Sequence, residues 1–152
     1  DTSGVIIFAR TKQAQGFLGQ EFEKRRAKKT YVARVWGQLS PDEGHVDLPL
    51  CVDWPNRPRQ MVDHVNGRPA QTDWQVLERE DQATRVQLFP LTGRSHQLRV
   101  HMLAQGCPIL GDPIYATGKA RDFPRLMLHA ETLALHHPTS GAWITFTAPC
   151  PF

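Results

Sequence analysis

The sequence predicts an α+β fold: a largely antiparallel mixed sheet with a few flanking helices. Many short segments carry the β-branched and aromatic residues typical of strands, whereas only two segments show clear helical periodicity. Strands and helices also lack the strict alternation of parallel βαβ units, which favours antiparallel pairing. At 152 residues the chain has the length of one domain, and we assign residues 1–152 to it.

The first part of the chain predicts a strand, a helix and a second strand. The apolar run Val5–Ala9 is expected to form a buried strand after a turn of small residues. Residues 11–26 are expected to form a helix because apolar side chains recur on one face, although Gly16 and Gly19 weaken it by about 1 kcal/mol each. Residues 30–39 then alternate as a β-strand does.

The remaining chain predicts an irregular excursion, one helix and several antiparallel pairs. Residues 40–70 are rich in proline, glycine and polar side chains, which indicates the excursion. The helix is expected to start at Ser95, whose hydroxyl can cap it, and to end at Gly106. The strands predicted in this part are residues 44–48, 60–62, 71–77, 84–89, 126–135 and 142–148.

Composition narrows the environment and the partners. The net charge is +3, and arginine is far commoner than lysine among the cations, which suits phosphate and base recognition. The three cysteines, Cys51, Cys107 and Cys150, lack CxxC spacing and are expected to be free thiols in the reducing cytoplasm. No apolar run is long enough to cross a bilayer, so no membrane association is expected.

The most distinctive segment is residues 92–101, Thr-Gly-Arg-Ser-His-Gln-Leu-Arg-Val-His. If Ser95 caps a helix, Arg94 lies at the helix N-terminus, where the macrodipole disfavours a cation by about 0.3–1 kcal/mol. An arginine in such a place usually has an anionic partner or a base, so the segment is a candidate site. An ordinary surface helix with a polar first turn explains the same residues from sequence alone.

Two other segments combine cations with aromatic side chains. All but one of the residues Lys24–Lys29 are cationic, and Tyr31 follows them. Cations that hold an RNA backbone beside an aromatic ring that stacks on a base form a common binding arrangement, but a solvated helix end also explains the cations. Trp54–Arg59 suits the same purpose, and an exposed loop of a basic protein explains it as well.

The histidines do not predict a metal site. His96 and His101 are five positions apart, which does not place them on one helical face, and adjacent His136 and His137 point to opposite faces of a strand. His129 lies between apolar residues of a predicted strand and is expected to be structural. The chain also has no glycine-rich phosphate loop.

Five segments, taken together and in this order, resemble the RluA-type pseudouridine synthases, which isomerise uridine in structured RNA. Another segment, residues 51–58, resembles the RluA branch itself, whose members modify short loops in ribosomal and transfer RNA. The resemblance implies the pseudouridine synthase catalytic fold and a reaction that needs neither a cofactor nor a metal. The five segments are residues 2–9, 28–33, 92–101, 106–112 and 125–130.

The resemblance also implies that the essential aspartate is not among these residues. In the family it belongs to a His-Arg-Leu-Asp-x-x-Thr-Ser-Gly motif, whose end matches Thr2–Gly4. The aspartate is therefore expected two positions before Asp1, which matches a variable residue of the motif. The chain is then an N-terminally incomplete catalytic domain, inactive by itself. An RNA-binding module without catalysis is the alternative for the chain as it stands.

The resemblance assigns roles to individual residues. Arg94 is expected to pair with the catalytic carboxylate, and Tyr31 to stack on the uracil and assist proton removal. Leu128 is expected to form an apolar wall of a substrate pocket that Thr92, Gly93, His96 and Gln97 also line. The expected partner is a ribosomal or transfer RNA stem-loop, bound by a monomer without an obligate protein partner. The candidate phosphate contacts are Arg25, Arg26, Lys28, Lys29, Arg57, Arg59 and Arg99.

Overall fold

A computed structural model describes all 152 residues and confirms the predicted α+β class. No helix in it is both long and apolar enough to cross a membrane. The α-helices are α1 (Lys12–Glu23), α2 (Gln97–Ala104) and α3 (Gly118–Arg121), and Trp54–Asn56 forms a 3₁₀ turn. The strands are β1 (Ser3–Gly4), β2 (Lys28–Trp36), β3 (Glu43–Asp47), β4 (Leu50–Val52), β5 (Gln60–Val62), β6 (Gln71–Arg79), β7 (Ala83–Pro90), β8 (Leu128–His136) and β9 (Trp143–Thr147).

Seven strands form one sheet in the order β1-β8-β2-β7-β6-β3, with β9 also paired to β8. Only β1 and β8 run parallel, so the prediction of a largely antiparallel mixed sheet is confirmed. The hairpins β6–β7 and β8–β9 lie where the sequence predicted strand pairs. Strands β4 and β5 form a separate two-stranded hairpin within the proline-rich excursion.

The buried strand predicted at Val5–Ala9 is wrong. The N-terminal segment pairs with β8 only through β1 and Val5, whose N–H donates to the Ala130 carbonyl at 2.9 Å. From Thr132 onward the same edge of β8 pairs with β9, so no partner remains for the following residues. Ile6 and Phe8 are consequently 74% and 76% exposed.

The structure explains why serine and glycine occupy the last two positions of the Thr2–Gly4 motif. Gly4 has φ +117°, and any side chain there would collide with the carbonyl group of Ala130 on β8. Beside it, the Ser3 hydroxyl lies 2.8 Å from Nδ1 of His129, whose Nε2 lies 2.7 Å from the Ala148 carbonyl oxygen. The prediction that His129 is structural is confirmed.

Helix α1 is shorter than predicted. The Thr11 hydroxyl caps it by accepting from the N–H of Ala14 at 3.1 Å. It ends at Glu23 rather than Arg26, because Arg25 adopts a left-handed conformation with φ +56° and turns the chain toward β2. The cations of Lys24–Lys29 therefore span a turn and the start of a strand.

Helix α2 also begins later than predicted, and Ser95 does not cap it. Its first residue is Gln97, preceded by His96 in a left-handed conformation with φ +55° and without a side-chain cap. The predicted glycine after the helix end is confirmed, since Gly106 has φ +77°. Arg94 thus lies in the loop 91–96 before the helix and not in its first turn.

The main core lies between one face of the sheet and two other parts of the chain, which are helix α2 and the segment that follows α2. Its members include Leu88 of β7, Met102 of α2, and Ile109 and Leu110, all of them fully buried. Burying one such side chain stabilises the fold by about 1.5–3 kcal/mol. This packing holds the loop 91–96 between β7 and α2 at the end of the central strands.

Candidate active site

The predicted catalytic and substrate-pocket residues line one pocket of about 310 Å³, which we call the inner pocket. Tyr31 comes from β2, Leu128 from β8 and Arg94 from the loop 91–96, so three separate elements bring them together. Thr2, at the start of the chain, lines the same pocket. The other lining residues are Lys29, Pro90, Thr92, Gly93, His96, Gln97, Leu98 and Arg99.

Tyr31 supplies a half-buried phenol to the inner pocket and packs its ring against the main core. Burial raises the pKa of this phenol above its ordinary value, so that the hydroxyl stays protonated at neutral pH. Tyr31 therefore offers the pocket both a flat apolar face and a hydrogen-bond donor.

Arg94 supplies a guanidinium that no carboxylate of the chain neutralises. Its Nε donates to the Pro69 carbonyl oxygen at 2.8 Å, which leaves the Nη groups available. Burial, followed by the positive charges of Arg68 and Arg25, lowers the pKa of Arg94. The group remains a cation at neutral pH because an arginine guanidinium is effectively never deprotonated in proteins. A partly desolvated cation without a partner is complementary to an anion.

The loop that carries Arg94 is fixed by the side chain of Gln97. Its buried Oε1 accepts from the Thr92 hydroxyl at 2.7 Å and from the N–H of Arg94 at 3.1 Å. Its Nε2 donates to the Gln71 carbonyl and the Thr72 hydroxyl, each at 2.9 Å. Thr92 and Gln97 line the pocket, but these hydrogen bonds use their polar groups to hold the loop in place.

A second and larger depression adjoins the inner pocket and has a volume of about 900 Å³. We call it the cationic cleft, because its wall carries Arg25, Lys28, Lys29, Arg68 and Arg94. Lys29 and Arg94 line both depressions, so their charges lie at the junction.

Lys29 approaches the loop closely at this junction. A side chain at Gly93 would place its Cβ 3.3 Å from the Lys29 Nζ, so the glycine leaves room for the ammonium group. Burial lowers the pKa of Lys29, and no acidic side chain forms an ion pair with it. Like Arg94, it is available for an anionic ligand.

Comparison with known proteins identifies the family of this chain. The sequence model of the RNA pseudouridylate synthase family matches residues 1–104, more than half of the chain. The chain belongs to this family. It is 58% identical to the dual-specificity RNA pseudouridine synthase RluA of Escherichia coli K12, over 99% of this chain and 70% of that protein. The RluA of Yersinia pestis is 54% identical, over 99% of this chain and 74% of its own length.

Solved pseudouridine synthase structures have the same fold. Human RNA pseudouridylate synthase domain containing 1 superposes with a TM-score of 0.81 at 32% identity, over 95% of this chain and 63% of its own. Human RNA pseudouridylate synthase domain containing 4 gives a TM-score of 0.73 at 27% identity, over 93% of this chain and 64% of its own. Together with the family match, these likenesses confirm the predicted pseudouridine synthase fold and favour the isomerase over a non-catalytic RNA-binding module.

Arg99 and Arg59, two of the predicted phosphate contacts of this pseudouridine synthase, form hydrogen bonds within the protein. Arg99 is only 11% exposed at its side chain and donates from Nε and Nη2 to the buried Asp112 carboxylate at 2.8 and 2.7 Å. Arg59 donates from Nη1 to the Ile114 carbonyl oxygen at 2.7 Å. Arg99 also lines the inner pocket, and contact of either residue with an RNA phosphate stays a prediction.

The other predicted cations divide by position. Arg25, Lys28 and Lys29 line the cationic cleft. Arg26 lies outside both depressions, with its Nη1 at 3.8 Å from a Glu21 carboxylate oxygen. Arg57 also lies outside them, exposed and stacked over the Trp54 ring at 4.7 Å. The cleft therefore contains only part of the predicted set.

Sequence reasoning missed Arg68 and Tyr115. Arg68 lies in the irregular excursion, where no periodicity indicates which way a side chain points, yet it lines the cationic cleft. Tyr115 follows the fourth recognised segment by only three residues, and its hydroxyl contacts His96 behind the inner pocket. Proximity to that segment was the only available signal for Tyr115.

Proposed function

We propose that this chain is the catalytic part of a pseudouridine synthase that modifies a uridine in a loop of ribosomal or transfer RNA. The observation that carries the proposal is the inner pocket, in which Tyr31, Leu128 and Arg94 meet. The curated relatives named above are described as dual-specificity enzymes, which supports more than one RNA substrate for this protein. The target uridine leaves its stack at a cost of a few kcal/mol, which is lowest in a loop.

In the proposed reaction the uracil stacks on Tyr31 against the apolar wall at Leu128. Arg94 pairs with a catalytic carboxylate supplied from two positions before Asp1 and keeps it ionised. The position of Thr2 on the pocket wall supports this source. The N1–C1′ bond breaks, the uracil turns, and a C5–C1′ bond forms. The Tyr31 hydroxyl takes the proton from C5 as it passes its own proton on to solvent. N1 gains a proton from solvent, so that the product is an isomer of the substrate.

Release of the C5 hydrogen provides a direct test of this function. The full-length protein is incubated with ribosomal and transfer RNA stem-loops that carry tritium at C5 of uridine. We expect tritium to appear in water up to one equivalent per target uridine, without added metal or cofactor. Binding of the stem-loops without any tritium release contradicts the proposal and supports a non-catalytic binding module.

The cationic cleft is proposed to hold the RNA backbone, which makes binding sensitive to salt. In the full-length protein, Lys28→Glu with Lys29→Glu is expected to weaken stem-loop binding and to flatten its salt dependence. Each lost phosphate contact lowers the slope of log K against log salt by roughly 0.7 for single strands and 0.9 for duplexes. Binding titrations between low and moderate salt measure this slope.

A matched control has the same change in charge at a distance from the cleft. Lys119 and Arg121 are exposed on and around α3 and line neither depression. Their double replacement by glutamate is expected to leave the slope close to that of the wild type. Equal slopes for both double variants would exclude Lys28 and Lys29 from the RNA interface and attribute the effect to net charge.

We also propose that the protein works in the cytoplasm as a monomer. All three cysteines are unpaired, which suits a reducing compartment. One chain forms both the inner pocket and the cationic cleft, so these surfaces need no second copy.

A further inference from the structure

A buried tyrosine hydroxyl lies directly behind the inner pocket. Tyr115 is 3% exposed, and its Oη has two hydrogen-bond neighbours: the N–H of Gln60 at 2.8 Å and Nδ1 of His96 at 2.7 Å. The peptide N–H can only donate, so Oη accepts from Gln60. The hydroxyl hydrogen then has Nδ1 of His96 as its only acceptor.

This arrangement fixes the tautomer of His96. If Nδ1 carried the proton, the Tyr115 hydroxyl hydrogen would be buried without an acceptor, which destabilises the folded state. With Nδ1 as the acceptor, the proton of the neutral imidazole must be on Nε2. Burial, followed by the charge of Arg99, lowers the pKa of His96, while Asp112 opposes this, so that the ring is neutral at neutral pH.

His96 has one polar group left over. Its Nε2 makes no hydrogen bond within the protein, although the residue lines the inner pocket two positions from Arg94. The backbone at His96 is in the left-handed region, which is rare for residues other than glycine and is common at functional sites. The loop thus maintains an uncommon conformation at the residue whose ring offers a free donor.

Tyr115 itself is held from several directions. The guanidinium carbons of Arg59 and Arg99 lie 5.0 and 5.1 Å from the centroid of its ring. Its N–H donates to the Asp112 carboxylate at 3.1 Å. These contacts do not involve the hydroxyl, so a phenylalanine in this position keeps them and loses only the two hydrogen bonds of Oη.

We propose that Tyr115 is a positioning residue that holds His96 as the Nε2–H tautomer, and that this N–H donates to an oxygen of the RNA bound in the inner pocket. The inference rests on the proposed function of that pocket. The acceptor is a non-bridging phosphate oxygen next to the target uridine or a carbonyl oxygen of its uracil, both of which accept from an N–H.

A double-mutant cycle in the full-length enzyme tests whether Tyr115 acts through His96. Tyr115→Phe is expected to lower kcat/KM on a stem-loop about tenfold, the effect of losing one oriented hydrogen bond. His96→Ala is expected to cost at least as much, and Tyr115→Phe to have no further effect in that background. His64→Ala, at an exposed histidine without hydrogen bonds, is the control and is expected to retain full activity. Additive losses would overturn the proposal, because they would mean that Tyr115 acts on the fold and not on His96.

Nitrogen NMR of the full-length enzyme, labelled with ¹⁵N at histidine, measures the tautomer without relying on activity. The wild type is expected to show His96 as the Nε2–H form alone, and Tyr115→Phe to show a mixture of both tautomers. An Nδ1–H or doubly protonated ring in the wild type at neutral pH would overturn the proposal. Because this readout needs no RNA, its failure is distinguishable from a failure of the proposed enzymatic function.

Modified substrates identify the acceptor. Phosphorothioate next to the target uridine weakens a bond to phosphate, whereas 2-thio- or 4-thiouridine at the target weakens a bond to the uracil. The substitution at the true acceptor is expected to slow the wild type more than His96→Ala, whereas the substitution at the other position is expected to slow both enzymes equally. If every substitution slows both enzymes equally, His96 makes no hydrogen bond to the RNA and the proposal fails.

Discussion

Replacing Arg94 by alanine in the full-length protein is expected to abolish pseudouridine formation. The substitution removes a cation that no carboxylate of this chain neutralises and that lines the pocket shared with Tyr31 and Leu128. Without it the proposed catalytic carboxylate lies unpaired in a partly closed site, where protonation is favoured. Loss of one preorganised electrostatic partner commonly costs a factor of about 100–1,000 in rate, and here the carboxylate itself is disabled as well.

The fold is expected to tolerate this change. Arg94 makes one side-chain hydrogen bond, from its Nε to the Pro69 carbonyl. Its backbone N–H donates to Gln97 Oε1 and its carbonyl accepts from the N–H of Gln97, and alanine retains both of these bonds. Single-turnover tritium release measures the rate, a binding titration measures RNA affinity, and Arg121→Ala provides an exposed arginine control. Near-normal turnover would contradict the role, and an equal loss of binding and rate would reassign Arg94 to phosphate contact.

The sequence predicted the sheet well where the signal was local, and the motif match selected residues that the fold brings together. Alternation and turn residues located β6, β7, β8 and β9 to within about two residues at each end, because these strands pair with their neighbours in sequence. The motif match brought Tyr31, Arg94 and Leu128 to one pocket, although no periodicity relates them.

The errors share a physical cause, which is competition that only the tertiary structure decides. Val5–Ala9 has the composition of a strand, but β9 occupies the edge of β8 that it would need. Ser95 is a good capping residue, but the backbone of His96 is left-handed, so the helix begins only at Gln97. The ion pair of Arg99 with Asp112 was missed for the same reason, because the two residues are thirteen positions apart in sequence and meet only in the folded chain.

Replacing Asp112 by asparagine breaks the buried ion pair between Arg99 and Asp112. Asp112→Asn is expected to destabilise the fold by about 3–5 kcal/mol, the usual cost of breaking such a pair. Asp112 is completely buried and accepts from Arg99 and from the N–H groups of Ile114 and Tyr115 at 3.0 and 3.1 Å. Asparagine keeps the shape but leaves the Arg99 guanidinium without a counter-charge. Urea unfolding of the full-length protein at neutral pH measures the loss.

The control for this change is an ion pair at the surface. Asp42 is 85% exposed at its side chain and pairs with Arg79 at 2.7 Å. Because solvent screens such a pair, Asp42→Asn is expected to cost about 0–1 kcal/mol. Equal losses for the two asparagine variants would contradict a structural role of the Arg99–Asp112 pair.

The pH dependence of unfolding separates the charge of Asp112 from its shape. Burial by itself would raise the pKa of Asp112, but the hydrogen bonds from Arg99, Ile114 and Tyr115 outweigh it and lower the pKa below the ordinary value. The folded state then binds this proton less readily than the unfolded chain, whose aspartate pKa is about 3.9. The stabilisation is therefore fully present above about pH 5 and is lost as the pH falls through the lower folded pKa. In Asp112→Asn, the free energy of unfolding should therefore fall less steeply as the pH is lowered below about 5. If it falls as steeply as in the wild type, the carboxylate charge contributes nothing to stability.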